Sequence, residues 1–276
     1  MSNKKCNFCE TCNGHGCISQ LPGMGGIDEN INFILNYDQW QEIPMGQKQS
    51  FDAKIRLAPM TGGIENCGYH DEKQFYFDLI NHSVNEKVAL SIGDGCPDEK
   101  LLWGIEAVTN AGKKTAVFIK PYENNKIKQR MAWAESIAEI YGIDTDAFNI
   151  ITMRNKVHLE KKDESSLREL KALANSKGRP FAIKGIFTDE DIDLVKKIKP
   201  DIALVSNHGG RVPQRHGSTA QFLADFHKIL LENSGEVWVD GGIRNQDQIQ
   251  KAFSYGVKEV LIGRPFVSAI LKKQKI

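Results

Sequence analysis

An excess of charge of either sign is the first thing this sequence lacks: 36 lysines and arginines stand against 35 aspartates and glutamates, leaving a formal net charge of +1. So balanced a chain has no field with which to gather a polyanion, which argues against nucleic acid or an anionic membrane surface as partners. Long apolar runs are missing as well. No segment approaches the roughly 18 uninterrupted apolar residues of a membrane span, and Met1 to Glu10 contains no run of signal-peptide length. The expectation is a cytoplasmic protein working on a small molecule, with neither nucleic acid nor membrane among its partners. Cysteines are scarce outside one tail: Cys67 and Cys96 stand alone, whereas Cys6, Cys9, Cys12 and Cys17 crowd the start. In a reducing compartment such crowding points to a metal before disulfides. What is present in quantity, 41% hydrophobic and 26% charged residues over 276 positions, suits one large α/β domain with a substantial core.

From about residue 53 one theme recurs: a short apolar or β-branched run, a Gly, Pro, Asn or Asp interruption, then a longer stretch with helical spacing. Eight repetitions predict strands at Lys54 to Met60, Lys87 to Ile92, Thr115 to Lys120, Ala147 to Thr152, Phe181 to Lys184, Ile202 to Ser206, Glu236 to Asp240 and Glu259 to Ile262. Helices are predicted near 72–86, 98–111, 126–141, 164–177, 188–198, 218–233, 245–255 and 264–273. Runs such as Val88-Ala89-Leu90-Ser91-Ile92 and Ile202-Ala203-Leu204-Val205-Ser206 have the nearly all-apolar character of parallel strands buried on both faces. Eight consecutive βα units predict a (β/α)₈ barrel over 53–276, with a doubly wound open sheet as the alternative arrangement. Residues 1–52 read as a cysteine-rich N-terminal extension.

In barrels of this kind chemistry resides on the loops after the strands, and here those loops are polar. After the last two predicted strands come Asp240-Gly241-Gly242-Ile243-Arg244 and Gly263-Arg264-Pro265, small residues that let backbone N–H groups approach a ligand beside guanidinium groups. This combination suits a phosphate; the plainer reading is turn glycines and a surface arginine. In Ser206-Asn207-His208-Gly209-Gly210-Arg211 the imidazole of His208 can take up a proton near neutral pH, and Arg211 can grip a carboxylate through two parallel hydrogen bonds. Lys184, closing an apolar strand, needs an anion: a cofactor ring that gains charge, a carbonyl substrate, or, more plainly, water at the rim.

At this point the chain resembles the FMN-dependent 2-hydroxy-acid oxidising enzymes, a family that includes glycolate oxidase and lactate oxidase. The matching pieces are Ile183-Lys184-Gly185-Ile186, Ser206 to Arg211, Asp240 to Arg244 and Gly263-Arg264-Pro265, in the family's order. The resemblance implies FMN as cofactor and oxidation of a small 2-hydroxy acid to the 2-oxo acid, by a dehydrogenase or an oxidase. It implies that His208 is the base, that Arg211 holds the substrate carboxylate, and that Lys184 lies by the flavin N1 and O2 edge. Ser206 would touch the flavin, with Asp240, Gly241, Gly242, Arg244, Gly263 and Arg264 holding its ribityl and phosphate parts. Met60 and Ser91 match flavin contacts on the first two strands more loosely.

The N-terminal half departs from the family pattern. Better-known members carry Gln-Leu-Tyr on strand three and Thr-Val-Asp on strand four, whose Asp orients the catalytic His. Here the corresponding segments read Val117-Phe118-Ile119-Lys120-Pro121-Tyr122 and Ile151-Thr152-Met153-Arg154. On this register Arg154 occupies the place of the acid, as a second carboxylate clamp, and Tyr122 or Lys120 lines the substrate pocket. The spacing Cys6-x2-Cys9-x2-Cys12-x4-Cys17 suits an iron–sulfur cluster or a tetrahedral zinc; a cluster beside a flavin would pass electrons to an acceptor protein. A homo-oligomer is also compatible with this reading. Two competing functions stay open: a flavin-dependent isomerase, since Met60-Thr61-Gly62-Gly63 resembles a run in type 2 isopentenyl diphosphate isomerase, and a flavin or metal redox sensor.

Overall fold

In a computed structural model the chain is described over residues 31–47, 53–150, 156–212 and 214–273. Eight parallel strands run β1 (Lys54–Leu57), β2 (Ser91–Gly93), β3 (Thr115–Ile119), β4 (Ala138–Asp144), β5 (Phe181–Ile186), β6 (Ile202–Val205), β7 (Glu236–Val239) and β8 (Glu259–Ile262). They pair in the order β1-β8-β7-β6-β5-β4-β3-β2. A parallel bridge between Arg56 and Ala89 joins the first strand to the approach of the second and closes the cylinder. The open-sheet alternative is thereby set aside.

The α-helices among the described residues are α1 (Ile31–Glu42), α2 (Glu72–Asn85), α3 (Glu99–Asn110), α4 (Asn124–Trp133), α5 (Glu164–Ser176), α6 (Asp189–Ile198), α7 (Thr219–Asn233), α8 (Gln246–Ser254) and α9 (Arg264–Lys273). Those from α2 onward follow the strands in turn. Side chains at helix starts accept the first free backbone N–H groups: Asp71 from Gln74, Asp163 from Ser166, Thr188 from Asp191, Ser218 from Gln221 and Asn245 from Gln248. Because both faces of each strand are covered, two apolar layers form. Ala116, Phe118, Ile140, Ala182, Ile202, Leu204, Trp238 and Leu261 fill the interior, and a larger layer lies between strands and helices. The N-terminal end of the barrel is plugged by Arg56, buried beneath Trp238 and paired with Glu259 and with Glu139 at 2.8 Å. A charge there is tolerated because it is matched by two carboxylates and the Leu90 carbonyl.

The fourth unit departs from the sequence expectation. Strand four is Ala138–Asp144, not Ala147 to Thr152, and α4 ends at Trp133 instead of running to 141. The segment Ile140-Tyr141-Gly142-Ile143 is nearly as apolar as the other strands, but it follows the helix after only a four-residue turn, so a single helical period appeared to cover both. Burial on both faces selects the strand: Gly142 leaves room for Phe118 inside the barrel, while Tyr141 packs outward with its hydroxyl on the Met131 carbonyl at 2.8 Å. Among the described residues no helix is long and apolar enough to cross a membrane.

Helix α1 belongs to the predicted extension, yet it is tied to the strand ends. Its Trp40 indole N–H donates to the Gly241 carbonyl at 2.7 Å, and Asn32 donates to the carbonyl of Arg215 at 2.8 Å. Asn36 exchanges two hydrogen bonds with Asn207, at 2.7 and 3.1 Å. The chain segment preceding the barrel therefore braces the loops on which function was expected.

Candidate active site

One cavity opens over the C-terminal ends of the strands, as expected for this architecture. Its wall includes Met60, Lys120, Asp144, Lys184, His208, Arg211, Asp240, Gly241, Gly242, Arg244, Gly263 and Arg264. Eleven of these, all but Asp144, were named in the sequence from six separate strand ends, and the barrel brings them together.

His208 is held by the loop after β6. The Asn207 side chain accepts from Gly210 N–H at 3.0 Å, which folds His208-Gly209-Gly210 into a tight turn in which His208 itself adopts φ +53. A histidine in this left-handed conformation is strained by about 1–3 kcal/mol and persists only where its surroundings impose it. Here they do so through the ring: Nδ1 lies 2.8 Å from both carboxylate oxygens of Asp146. A carboxylate only accepts, so Nδ1 carries a proton, and Nε2, which faces an ammonium that can only donate, presents its lone pair. That lone pair faces the Lys120 ammonium at 3.1 Å, with an Asp144 oxygen at 3.5 Å.

The acid that orients His208 is therefore Asp146, not a position held by Arg154. The sequence reading took its strand-four register about eight residues too late, and placed the Ile143-Asp144-Thr145-Asp146 run in the connection instead of at the strand end. Arg154 lies outside the described residues, as do Cys6, Cys9, Cys12 and Cys17 and with them the metal expectation. Asp146 is set by a short turn, Thr145–Asn149, anchored by the Thr145 hydroxyl on the Lys184 carbonyl at 3.0 Å. It also needs Gly185: a Cβ there would stand 2.4 Å from the Asp146 carboxyl carbon. The glycine after Lys184 was visible in the sequence, and its requirement for a close neighbour was the signal available.

Lys184 sits between two buried carboxylates, 3.3 Å from Asp144 and 3.6 Å from Asp240. Burial alone would lower its pKa, but Asp144 and Asp240 outweigh that and raise it, so the ammonium stays charged. Asp144 is held well below the usual carboxylate range; burial opposes this, and Lys120, at 2.6 Å, together with Lys184 overcomes it. Asp240 moves the other way, raised by burial against the pull of Lys184, and one of its oxygens, Oδ1, has no hydrogen-bond partner although buried. Arg211 anchors its Nε on the His208 carbonyl at 2.8 Å and directs its remaining guanidinium into the cavity wall.

Three expectations need relocation. Tyr122 does not line the cavity: it is 2% exposed, sandwiched between Lys126 and Arg130, whose cationic groups stand 4.2 and 4.4 Å from its ring. Lys120, two residues earlier, takes the place: β3 ends at Ile119, and a tight turn around Pro121, in which the Tyr122 N–H donates to the Lys120 carbonyl at 2.8 Å, carries Tyr122 away from the cavity. Ser91 is buried below the cavity wall. Ser206 is likewise behind it, accepting from the His208 N–H at 3.2 Å and bonding Asp240.

At the other end of the cavity Gly242 has φ +82, and a Cβ would fall 1.8 Å from the Asn36 carbonyl oxygen. No other residue type fits where α1 meets this loop. Arg264 opens α9 and stacks on Phe33 of α1 at 4.8 Å. This corner offers a helix N-terminus, close backbone and two guanidinium groups, and beside it the unpartnered Asp240 oxygen awaits a hydroxyl donor. A polyhydroxylated chain ending in phosphate satisfies these groups, and flavin mononucleotide is such a molecule.

The fold and this site define a barrel with a corner suited to an anion and a buried imidazole–carboxylate pair. Comparison with known proteins narrows the class: residues 109–275, more than half of the chain, match the family model of FMN-dependent dehydrogenases. The chain belongs to that family. It is similar to L-lactate dehydrogenase (cytochrome) of Saccharomyces cerevisiae, 34% identical over 37% of this chain and 18% of that protein. It is similar also to 2-hydroxyacid oxidase 2 of Bos taurus, 36% identical over 34% of this chain and 26% of that one. The matches thus span about a quarter or less of these relatives' lengths. Among solved structures, mandelate oxidase with benzoyl-formic acid superimposes with a TM-score of 0.66 at 19% identity, over 88% of this chain and 78% of that one, a likeness of fold.

Proposed function

We propose that this protein binds FMN along the cavity and oxidises a small 2-hydroxy acid to the 2-oxo acid. The observation that carries the reading is the meeting, in one cavity wall, of an imidazole whose Nδ1 is fixed on Asp146, a guanidinium at Arg211, and the phosphate-suited corner at Gly241, Gly242 and Arg264.

FMN, when bound, supplies a two-electron acceptor. Arg211 binds the substrate carboxylate through its free fork and so fixes which carbon faces the flavin. His208 takes a proton at Nε2, and Asp146 stabilises the imidazolium that results. Lys184, buried and charged, offsets the negative charge gained on reduction, with Asp144 and Asp240 balancing it in the resting protein. Asp240, Gly241, Gly242, Gly263, Arg244 and Arg264 hold the ribityl and phosphate groups. Dioxygen or an acceptor protein would be the final recipient of the two electrons.

The test is anaerobic titration of the purified yellow protein with short 2-hydroxy acids in a spectrophotometer. Loss of the oxidised-flavin absorbance, with His208→Gln slowing it by roughly 10²–10⁴-fold while FMN stays bound, is the expected result. A flavin that no 2-hydroxy acid reduces would leave the isomerase or sensor reading in its place.

A further inference from the structure

Lys120 is a buried cation of the cavity wall, beside His208, that the mechanism above leaves without a task. Its side chain is 6–7% exposed, and it lines the cavity just past the end of β3. An ammonium has three N–H donors. One goes to Asp144 at 2.6 Å, and a second is directed at the Nε2 lone pair of His208 at 3.1 Å.

This second contact blocks the atom that has to accept the substrate's proton. A donor and an acceptor facing each other in a cavity wall are complemented by a group that is both at once, and a hydroxyl is such a group. We propose that the 2-hydroxyl of the substrate inserts between Lys120 and His208, accepting from Nζ and donating to Nε2, which makes Lys120 a catalytic residue. The inference rests on the 2-hydroxy-acid reading and assigns a partner to the substrate's reacting oxygen.

The insertion is sterically modest. With both hydrogen bonds near 2.8 Å and a tetrahedral angle at oxygen, the two nitrogens stand about 4.6 Å apart, so Nζ withdraws by about 1.5 Å from its present position. A four-carbon side chain that keeps its hold on Asp144 can do this. The O–H proton then passes to Nε2, and negative charge appears on the oxygen against the Lys120 ammonium. As the C2–O bond becomes a carbonyl, the C2–H bond breaks and hydride leaves with its electron pair to the flavin. Proton and hydride together account for the two hydrogens and two electrons lost by the acid. The proton is thereby taken from oxygen and not from carbon. An ammonium in a dry site stabilises that developing charge more than a neutral donor does.

The experiment compares three ligands of equal carbon skeleton, read by the change each causes in bound-flavin absorbance under anaerobic conditions: a 2-hydroxy acid, its 2-oxo acid, and the acid with no oxygen at C2. In the FMN-loaded Lys120→Met protein, binding of the 2-oxo acid should weaken by roughly 10–100-fold, as for a lost charge-assisted hydrogen bond, while the unsubstituted acid binds as in wild type. The initial perturbation by the 2-hydroxy acid should weaken likewise. Arg211→Lys should weaken all three. Lys120→Gln, which keeps a neutral donor of similar length, should fall between wild type and Lys120→Met, and it serves if the methionine variant does not fold. Equal loss for all three ligands in Lys120→Met, or no loss for any, would overturn the assignment while leaving the proposed function standing. Failure of every ligand to perturb the wild-type flavin would remove both.

Discussion

Replacing Asp146 by asparagine changes one atom in a shell that contacts the base, and its consequence can be worked from the geometry. Both carboxylate oxygens lie 2.8 Å from Nδ1 of His208, and Gly185 leaves just enough space for the group. An amide fits the same space. If its oxygen faces Nδ1, the hydrogen bond survives without its charge; charge-assisted bonds are worth about 1.5–3 kcal/mol, so flavin reduction should slow by roughly 10–150-fold. If its NH₂ faces Nδ1, the ring is driven to the other tautomer, Nε2 carries the proton, and the loss approaches about 10⁴-fold as in other histidine–aspartate pairs. Either way the phosphate corner and Arg211 are untouched. FMN content and the affinity for a non-reacting carboxylate should therefore stay as in wild type. Anaerobic stopped-flow reduction at saturating 2-hydroxy acid measures the rate. An Asp146→Asn protein that reduces its flavin within about twofold of wild type would refute the assignment of this acid to the base.

Two further outcomes follow from the packing. Gly242→Ala places a methyl group against the Asn36 carbonyl oxygen, 1.8 Å from an ideal Cβ, so it should expel FMN or displace α1, seen as colourless protein or faster proteolysis of the N-terminal segment; a yellow, protease-resistant variant would contradict the contact. Asp144→Asn leaves Lys120 and Lys184 without their shared acid and should cost about 3–5 kcal/mol at pH 7 by chemical denaturation. The pH dependence carries a sign: the folded-state pKa of Asp144 is depressed, so its contribution is fully present above the unfolded value near 3.9 and is lost as pH falls through the folded value. Wild type should therefore lose stability below about pH 4 more steeply than Asp144→Asn, and parallel curves would refute the depressed value.

Local chemistry of the chain was sufficient for the number of strands, for seven of their eight positions, and for the groups at β5, β6, β7 and β8. Apolar runs bounded by glycine and polar residues declare a buried parallel strand wherever they stand, and Lys184, His208, Arg211, Asp240 and Arg264 each lie at the end of such a run. Tertiary structure decided the rest. Whether Ile140 to Ile143 continues a helix or forms a strand depends on what covers its two faces, and only the barrel supplies Phe118 on one and Met131 on the other. That single register brings Asp144 to the cavity and Asp146 against His208, and so turns the acid partner of the base from absent to present. Likewise nothing in the spacing of Asn32, Asn36 and Trp40 shows that they close on loops some 170 to 200 residues away. Side-chain periodicity reports which residues are buried, whereas which buried residues meet is set by the closure of the barrel as a whole.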